Sequence, residues 1–591
     1  MLDIKVTNDK DSRREIINGS LREAIRLANE SCGCGHVNIF IVKKMHIKLE
    51  SELVLNKTIT LFGNGSTIEA TKGRHFAIHS EGITTFKSLT LKGGKDLYGG
   101  SINSKSLRGT LILEDVDISH NRAEYGGAIY SFGNLILRRS KAEHNTALKQ
   151  GGALWCHKDL ILEESKIKHN SVLEVSSDNY GGGVVIDDGN ATLIKSTISE
   201  NKVNFNLKEK NGGNSGGIIL MAGSLNLYDS AIDRNEAYSS GGVQMGNGDI
   251  NLFNSSISKN KSFVDGDATG GGGIVIMVGN VTLNKSRISD NTTRGMYSGS
   301  LVSFIGNVTV NDSTISNNVN RGPGGAIASN FNSTVTVNRS KLLNNTGASL
   351  GGAIVNFSNN LGEISVNETE IFGNTLTNEQ LIGQTIAAFL NVIIGAKNQS
   401  DTNASKSINP STGEINGGAS KLINSLKDLE GLARAADELL KKITFAKYAI
   451  GGGAIATLLK CPINIHKSHF TNNFVAKKVT EKNCRFEGYG GALFTINSLT
   501  TIGDAIFGEN KSTSFASAIF NDSQLIVNNS EFLGNKAEKD FTITNGENGN
   551  ALIANSKFKD NNCIDIHNKG RLVLINTNVS VSSTNEYIKL N

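Results

Sequence analysis

Short apolar-x-apolar runs return along this chain at a nearly constant interval, each separated from the next by a glycine, serine or asparagine turn. The unit YGGAIYSFGNLILRRSKAEHN, residues 125 to 145, shows both halves of the pattern. Its first half is a glycine corner, GGAI at Gly126 to Ile129, Gly324 to Ile327, Gly351 to Ile354 and Gly452 to Ile455, with GGAL at Gly151 and Gly490. Its second half is an apolar-x-apolar strand, then Ser or Thr, an apolar residue and Asn, as in LNLYDSAIDRN (225 to 235) and VTVNDSTISNN (308 to 318). Runs this short, with alternating polarity and many β-branched residues, predict strands and exclude helical repeats.

The closing asparagines set the architecture. Asn121, Asn145, Asn170, Asn201, Asn235, Asn260, Asn291, Asn318, Asn345 and Asn374 fall mostly 24 to 31 residues apart, the length of one β-helix coil. Coils about 4.8 Å apart place equivalent residues above one another, so repeated Leu and Ile form apolar columns and repeated Asn forms a ladder of amide hydrogen bonds. No single coil buries its apolar face alone, which is why the pattern persists. The expected fold is an all-β solenoid, a right-handed single-stranded parallel β-helix.

Two segments depart from the period. In NGSLREAIRLAN, Ser20 and Glu23 have capping-box spacing, and Leu21, Ala24, Ile25 and Ala28 share one side of the helix this predicts. That helix is expected to cover one end of the core, within an N-terminal cap at 1–45. Between Asn374 and Gly451 the repeat is suspended, and Leu381, Ile382, Thr385, Ile386, Phe389 and Ile393, then Leu422, Leu426 and Leu429, follow helical spacing. A helical hairpin is expected over 375–447, between β-helix segments at 46–374 and 448–591, and it is a candidate self-association element.

Composition agrees with a thin-cored repeat: 591 residues hold 65 glycines, 3 prolines, 6% aromatics and one tryptophan. A formal charge of +5 without a basic tract gives no support to nucleic-acid binding. No run reaches the length of a membrane-spanning helix, and MLDIKVTNDKDSRRE lacks the pattern of a secretory signal. The cysteines (Cys32, Cys34, Cys156, Cys461, Cys484, Cys563) contain no CxxC pair and are expected as free thiols. Gln244 and Met245 in GGVQM place the third residue of the corner inside and the fourth outside, which puts Ile129, Leu154 and Ile327 on an outer apolar stripe.

Candidate chemistry is sparse. Asp187 and Asp188, and Asp265 with Asp267, are the nearest approach to the carboxylate groupings of a polysaccharide lyase or hydrolase, and both sit at expected turns where Asp serves the backbone. His120, His144 and His169 each precede a ladder asparagine in consecutive coils, close enough to be weighed as metal ligands. The same slot later holds Glu200, Arg234, Lys259 and Asp290, so it is expected to face water. No cofactor and no metal are expected.

The alternation of GGAI or GGAL with [I/F]xxN, including Phe470 to Asn473, Phe507 to Asn510, Phe532 to Asn535 and Phe558 to Asn561, resembles the repeat of chlamydial polymorphic outer membrane proteins. SLREAIRLAN is similar to the CSLREA-type cap of secreted bacterial β-helix proteins, with Gly19 in place of that motif's cysteine. The resemblance implies a cell-surface or secreted adhesin that binds a host-cell or polysaccharide ligand without catalysis. It departs from that family in showing neither the export signal nor a translocator barrel. A polysaccharide-degrading enzyme and a structural protein of a virus particle or surface layer are the alternatives on the same scaffold.

Overall fold

A computed structural model describes residues 2–31, 35–264, 269–295, 297–330, 333–348, 350–357, 362–377, 449–457, 460–476, 478–479, 485–538, 541–562 and 564–590. Of the hairpin expected over 375–447, Thr375–Leu376 is instead a strand, paired in parallel with Thr346–Gly347 because it continues the coil after Asn374. Residues 378–447, Asp265, Asp267, Cys32, Cys34, Cys484 and Cys563 lie outside the described residues. The chain forms two compact units, Met1–Phe263 and Val264–Asn591. Each is a parallel β-solenoid, with about 15 turns in all. The division falls inside the stretch 46–374 that the sequence reads as one body, and not at the insertion. The reason is that coils on either side of the insertion are direct neighbours: Ile354–Phe357 pairs in parallel with Ile455–Thr457, and Asn374 bonds Asn473.

One coil of the first unit illustrates the rest. Leu154–Cys156 leaves the glycine corner, Leu160–Glu163 follows a turn, Lys166–Lys168 follows Ser165, and Ser171–Val172 follows Asn170. Each strand pairs in parallel and in register with its equivalents one coil away, as Leu160↔Leu135 and Leu160↔Ala191. Alternation along each strand turns Leu137, Leu162, Leu193, Leu227 and Leu252 into one fully buried column. In the second unit, Phe470, Phe507 and Phe532 do the same, with ring centroids 5.0 and 5.1 Å apart and planes within 10°.

The asparagine ladder forms as expected. In the first unit the Nδ2 of Asn121, Asn145, Asn170, Asn201 and Asn235 donates to the next asparagine's Oδ1 at 2.9–3.1 Å. The second unit repeats it from Asn291 through Asn318, Asn345 and Asn374 to Asn473, Asn510, Asn535 and Asn561. The same Oδ1 also accepts the backbone N–H of the preceding asparagine, as Asn201 to Asn235 at 3.0 Å. A serine ladder runs parallel to it, each hydroxyl accepting the preceding serine's N–H from Ser140 to Ser255 at 3.0–3.1 Å.

These ladders hold two residues per coil in the left-handed region: His144 (φ 55°) before Asn145, and Glu164 (φ 48°) before Ser165, for example. A non-glycine side chain there costs about 1–2 kcal/mol, less for asparagine, which occupies the same slot at Asn254 (φ 47°). Glu164→Asn is therefore expected to raise the unfolding free energy by about 0.5–1 kcal/mol, read as a shift of the denaturant midpoint at unchanged slope.

The outer apolar stripe is not there. Ile129, Leu154 and Ile327 are fully buried, as are Ala128 and Ala153 beside them. The error lies in register: Val243 pairs with Ile218, which pairs through Val184 with Leu154 and Ile129. Gly242 therefore fills the alanine slot of the corner, Val243 the isoleucine slot, and Gln244 the outward slot that Tyr130 and Trp155 occupy in their coils.

The cap matches its expected form. Helix α1 (Leu21–Glu30) buries Leu21, Ala24, Ile25 and Ala28; Ser20 Oγ accepts the Glu23 N–H at 3.2 Å, and Glu23 Oε2 accepts the Gly19 N–H at 2.6 Å. Asn29 joins helix to first coil, donating to the Val54 carbonyl at 2.8 Å and accepting from the Asn56 N–H at 2.9 Å. Gly19 has φ 72°, and a Cβ there would meet Thr7 Oγ1 at 2.3 Å, so this chain's backbone disfavours the cysteine of the similar motif.

Candidate functional site: an aromatic ledge on the glycine corner

The residues flanking the glycine corner carry the most distinctive surface of the first unit. Ahead of the glycines stand Tyr98, Tyr125, Gln150 and Tyr180, joined coil to coil by isolated bridges such as Tyr98↔Tyr125 and Gln150↔Tyr180. After them, Tyr130 and Trp155 are paired in register between buried neighbours, so alternation points both side chains outward. Their rings stack at 4.3 Å with planes 11° apart. Tyr98 stacks on Tyr125 at 5.5 Å and tilts against Tyr130 at 5.0 Å, and Phe132 meets both Tyr130 and Trp155 edge-on at 5.4 and 6.0 Å.

Parallel stacking sets what this ledge offers a ligand. Ring faces along the stack are covered by one another, so the cluster presents ring edges, with their phenol O–H and indole N–H groups, to solvent. The hydroxyls of Tyr98, Tyr125 and Tyr130 and the Nε1–H of Trp155 make no hydrogen bond to protein among the described residues. Burial, reinforced by the neighbouring Tyr98, Asp187 and Tyr125, pushes the Tyr130 phenol well above its ordinary range. Burial, with Asp187 nearby, pushes Tyr180 up to about 12. These phenols are therefore neutral donors across the physiological range.

Charged groups beside the ledge have side-chain partners. Lys149 pairs with Glu124 and lies over the Tyr125 ring at 5.6 Å; His157 Nδ1 lies 2.8 Å from Asp187 Oδ2, and Lys158 Nζ lies 3.1 Å from Asp188 Oδ2. Asp187 and Asp188, the carboxylates singled out from sequence, are thus each held by a side chain of the preceding coil.

The three histidines come together, but not as a ligand set. Their rings stack face to face, His120 on His144 at 5.4 Å and His144 on His169 at 4.9 Å. Ring nitrogens lie in the ring planes, so parallel stacking keeps their lone pairs from converging on one point. Among the described residues, no group of three or more His, Cys, Asp or Glu is arranged to hold a metal. Beyond His169, Glu200 takes over, 3.2 Å from His169 Nδ1 and 3.3 Å from Lys168 Nζ. Cys156 and Cys461 are free and buried; burial pushes the first thiol far up and the second to about 12, so neither is a nucleophile.

The aromatic ledge was not singled out in the sequence. The signal was present in YGGSI, YGGAIY, GGALW and YGGGV, an aromatic at either side of the corner in adjacent coils. It becomes visible once the coils are aligned on the corner alanine. No helix among the described residues is long and apolar enough to cross a membrane. Comparison of the chain with protein-family models, with curated proteins and with solved structures finds no match.

Proposed function

We propose that this protein is a non-enzymatic, adhesin-like binding protein whose aromatic ledge takes a neutral glycan. The observation that carries the reading is the ledge itself. Four tyrosines and the chain's single tryptophan gather on one corner of adjacent coils, their polar edges outward and the charges around them paired. Amphipathic rings with fixed positions give contact area at low entropic cost, and unpaired O–H and N–H groups supply donors for sugar hydroxyls. The carboxylates at its margin, Asp187 and Asp188, favour an uncharged ligand over an acidic polymer. The likeness of the repeat to chlamydial polymorphic outer membrane proteins supports the adhesive role and, with it, a place at the cell surface or outside the cell.

The catalytic alternative draws on the His157–Asp187 pair at the ledge's margin. Against it, Asp187 is engaged by the His157 ring and Asp188 by the Lys158 ammonium, whereas glycoside hydrolysis requires two carboxyl groups flanking one bond. Tyr130→Ala is expected to weaken binding of soluble neutral polysaccharide at least tenfold, as removal of a central aromatic anchor does. Affinity electrophoresis through gels holding the polysaccharide reads this directly. Unchanged retardation of the variant would move the binding site elsewhere.

A further inference from the structure

The second unit carries a different kind of surface. Its strands Val281–Asn284, Val308–Asn311, Val335–Asn338 and Ile364–Asn367 pair in parallel and in exact register, each with two outward residues, a hydroxyl and then an asparagine. The asparagines bond one another outside the core: Asn367 Nδ2 to Asn338 Oδ1 at 2.9 Å, Asn338 to Asn311 at 2.9 Å, and Asn311 to Asn284 at 3.0 Å. Beside them the hydroxyl column runs Thr282, Thr309, Thr336 and Ser365, and continues through Asn464 to Thr501 before Ile526, 40% exposed, ends it.

Three properties of this face bear on what it binds. First, it is a lattice, with rows about 4.8 Å apart between coils and about 6.6 Å apart along each strand. Second, its hydrogen-bonding capacity is incompletely used. The hydroxyls of Thr282, Thr309 and Thr336 have no protein partner among the described residues. Each ladder asparagine in the middle of the row uses one N–H and one oxygen lone pair on its neighbours and keeps one of each. Third, none of the outward groups in its rows is charged; at its margin Arg339 grips Asp312 with both Nε and Nη2, at 2.8 and 2.9 Å, and the Glu363 carboxylate accepts from Asn464 Nδ2 at 3.3 Å.

We propose that this face docks a neutral polysaccharide in extended form, with its chain running along the stack of coils. The inference rests on the glycan-binding reading above and adds a second surface, of different chemistry, in the other unit. A sugar hydroxyl both donates and accepts, as does every outward group of the lattice. An extended chain presents hydroxyls at repeated intervals, so six rows of the hydroxyl column engage it at several points, each weak alone. An acidic polymer finds no cation to pair with here, and an apolar partner would leave the threonine and asparagine groups unsatisfied.

The test uses the full-length chain and suspensions of insoluble chitin and microcrystalline cellulose, with bound protein measured by depletion. Wild type is expected to be retained on at least one, with little change on raising the salt concentration. The double variant Thr309→Val, Thr336→Val keeps side-chain shape and is expected to bind about tenfold more weakly, equivalent to about 1.4 kcal/mol. Thr309→Ser, Thr336→Ser restores the hydroxyls and is expected to bind like wild type, which excludes misfolding as the cause. Equal retention of the valine variant overturns the proposal. So does ice-crystal shaping by wild type with no retention on either solid, which would assign the lattice to ordered water. Tyr130→Ala separates the two surfaces: its loss of soluble-glycan binding with retention on solids intact supports both sites. Soluble binding without any retention of wild type on solids leaves the ledge and removes the lattice.

Discussion

Replacing Asn235 by alanine is expected to lower the unfolding free energy of the first unit by about 4 kcal/mol. Its Oδ1 accepts both the N–H and the Nδ2–H of Asn201 at 3.0 Å, and its Nδ2 donates to the Ile198 carbonyl and to Asn260 Oδ1, also at 3.0 Å. All of this lies in fully buried surroundings. Alanine removes four buried hydrogen bonds, each worth about 1 kcal/mol, and leaves the Asn201 backbone N–H without its side-chain acceptor, while Asn260 Oδ1 keeps the N–H of residue 235 and Asn201 Nδ2 keeps the Ile167 carbonyl, both at 3.0 Å. Asn251→Ala provides the control. It removes an equally regular amide bond to Asn226, at 3.0 Å, but on the half-buried outer face where water replaces it, and is expected to cost under about 0.5 kcal/mol. Chemical denaturation of the two variants side by side makes the comparison; equal losses would show that the inner ladder is decorative.

The second large effect is a dependence on pH that His75 imposes. This histidine is fully buried, one coil ahead of the first ladder asparagine, and substitutes for it: Nε2 lies 3.0 and 3.1 Å from the carbonyls of Ile68 and Lys92, and Nδ1 lies 3.1 Å from Ser101 Oγ. Carbonyls only accept, so Nε2 carries the proton and Nδ1 accepts from the serine. Burial lowers the pKa from 6.5 to about 4, against the opposing pull of the two carbonyls. Between those values the unfolded chain binds the proton and the folded chain does not, so stability is complete above pH 6.5 and falls as pH drops towards 4. The loss is about 3 kcal/mol across that window. Paired carboxylates such as Glu114, held below its ordinary value by hydrogen bonding to Lys87, titrate lower and do not mask it. In His75→Gln the slope between pH 6.5 and 4 is expected to flatten; a slope equal to wild type would place the sensitivity elsewhere.

Periodic features were legible in the sequence because stacking repeats each physical requirement once per coil. Asn121, Asn145 and their successors mark the coil length, and Ser20 with Glu23 marks the cap. Errors arose where a single residue had to be placed within a coil. In GGVQM the corner glycines are displaced by one slot, and that displacement reversed the expected facing of Ile129, Leu154 and Ile327. His75 gave no signal, since a lone histidine in GRHFAI belongs to no repeat. Of the site, Asp187 and Asp188 stand out for acidity while Tyr130 and Trp155, on the same corner, do not, because their outward slot repeats no residue type and passes to Val185, Ile219 and Gln244 in later coils. The histidine row was noticed as a row, but whether its rings converge or stack depends on side-chain orientation, which spacing does not encode.

Trp155 makes the central claim directly measurable, because it is the chain's only tryptophan and lies within the ledge. Neutral soluble polysaccharides are titrated into the full-length protein while Trp155 fluorescence reports occupancy, and polymer length is determined in the same samples before and after incubation. The account predicts a saturable fluorescence change for at least one polysaccharide at constant polymer length. Shortened chains, with the shortening abolished by Asp187→Ala, would contradict it in favour of an enzyme; a flat fluorescence response across the panel would remove the ledge as the binding site.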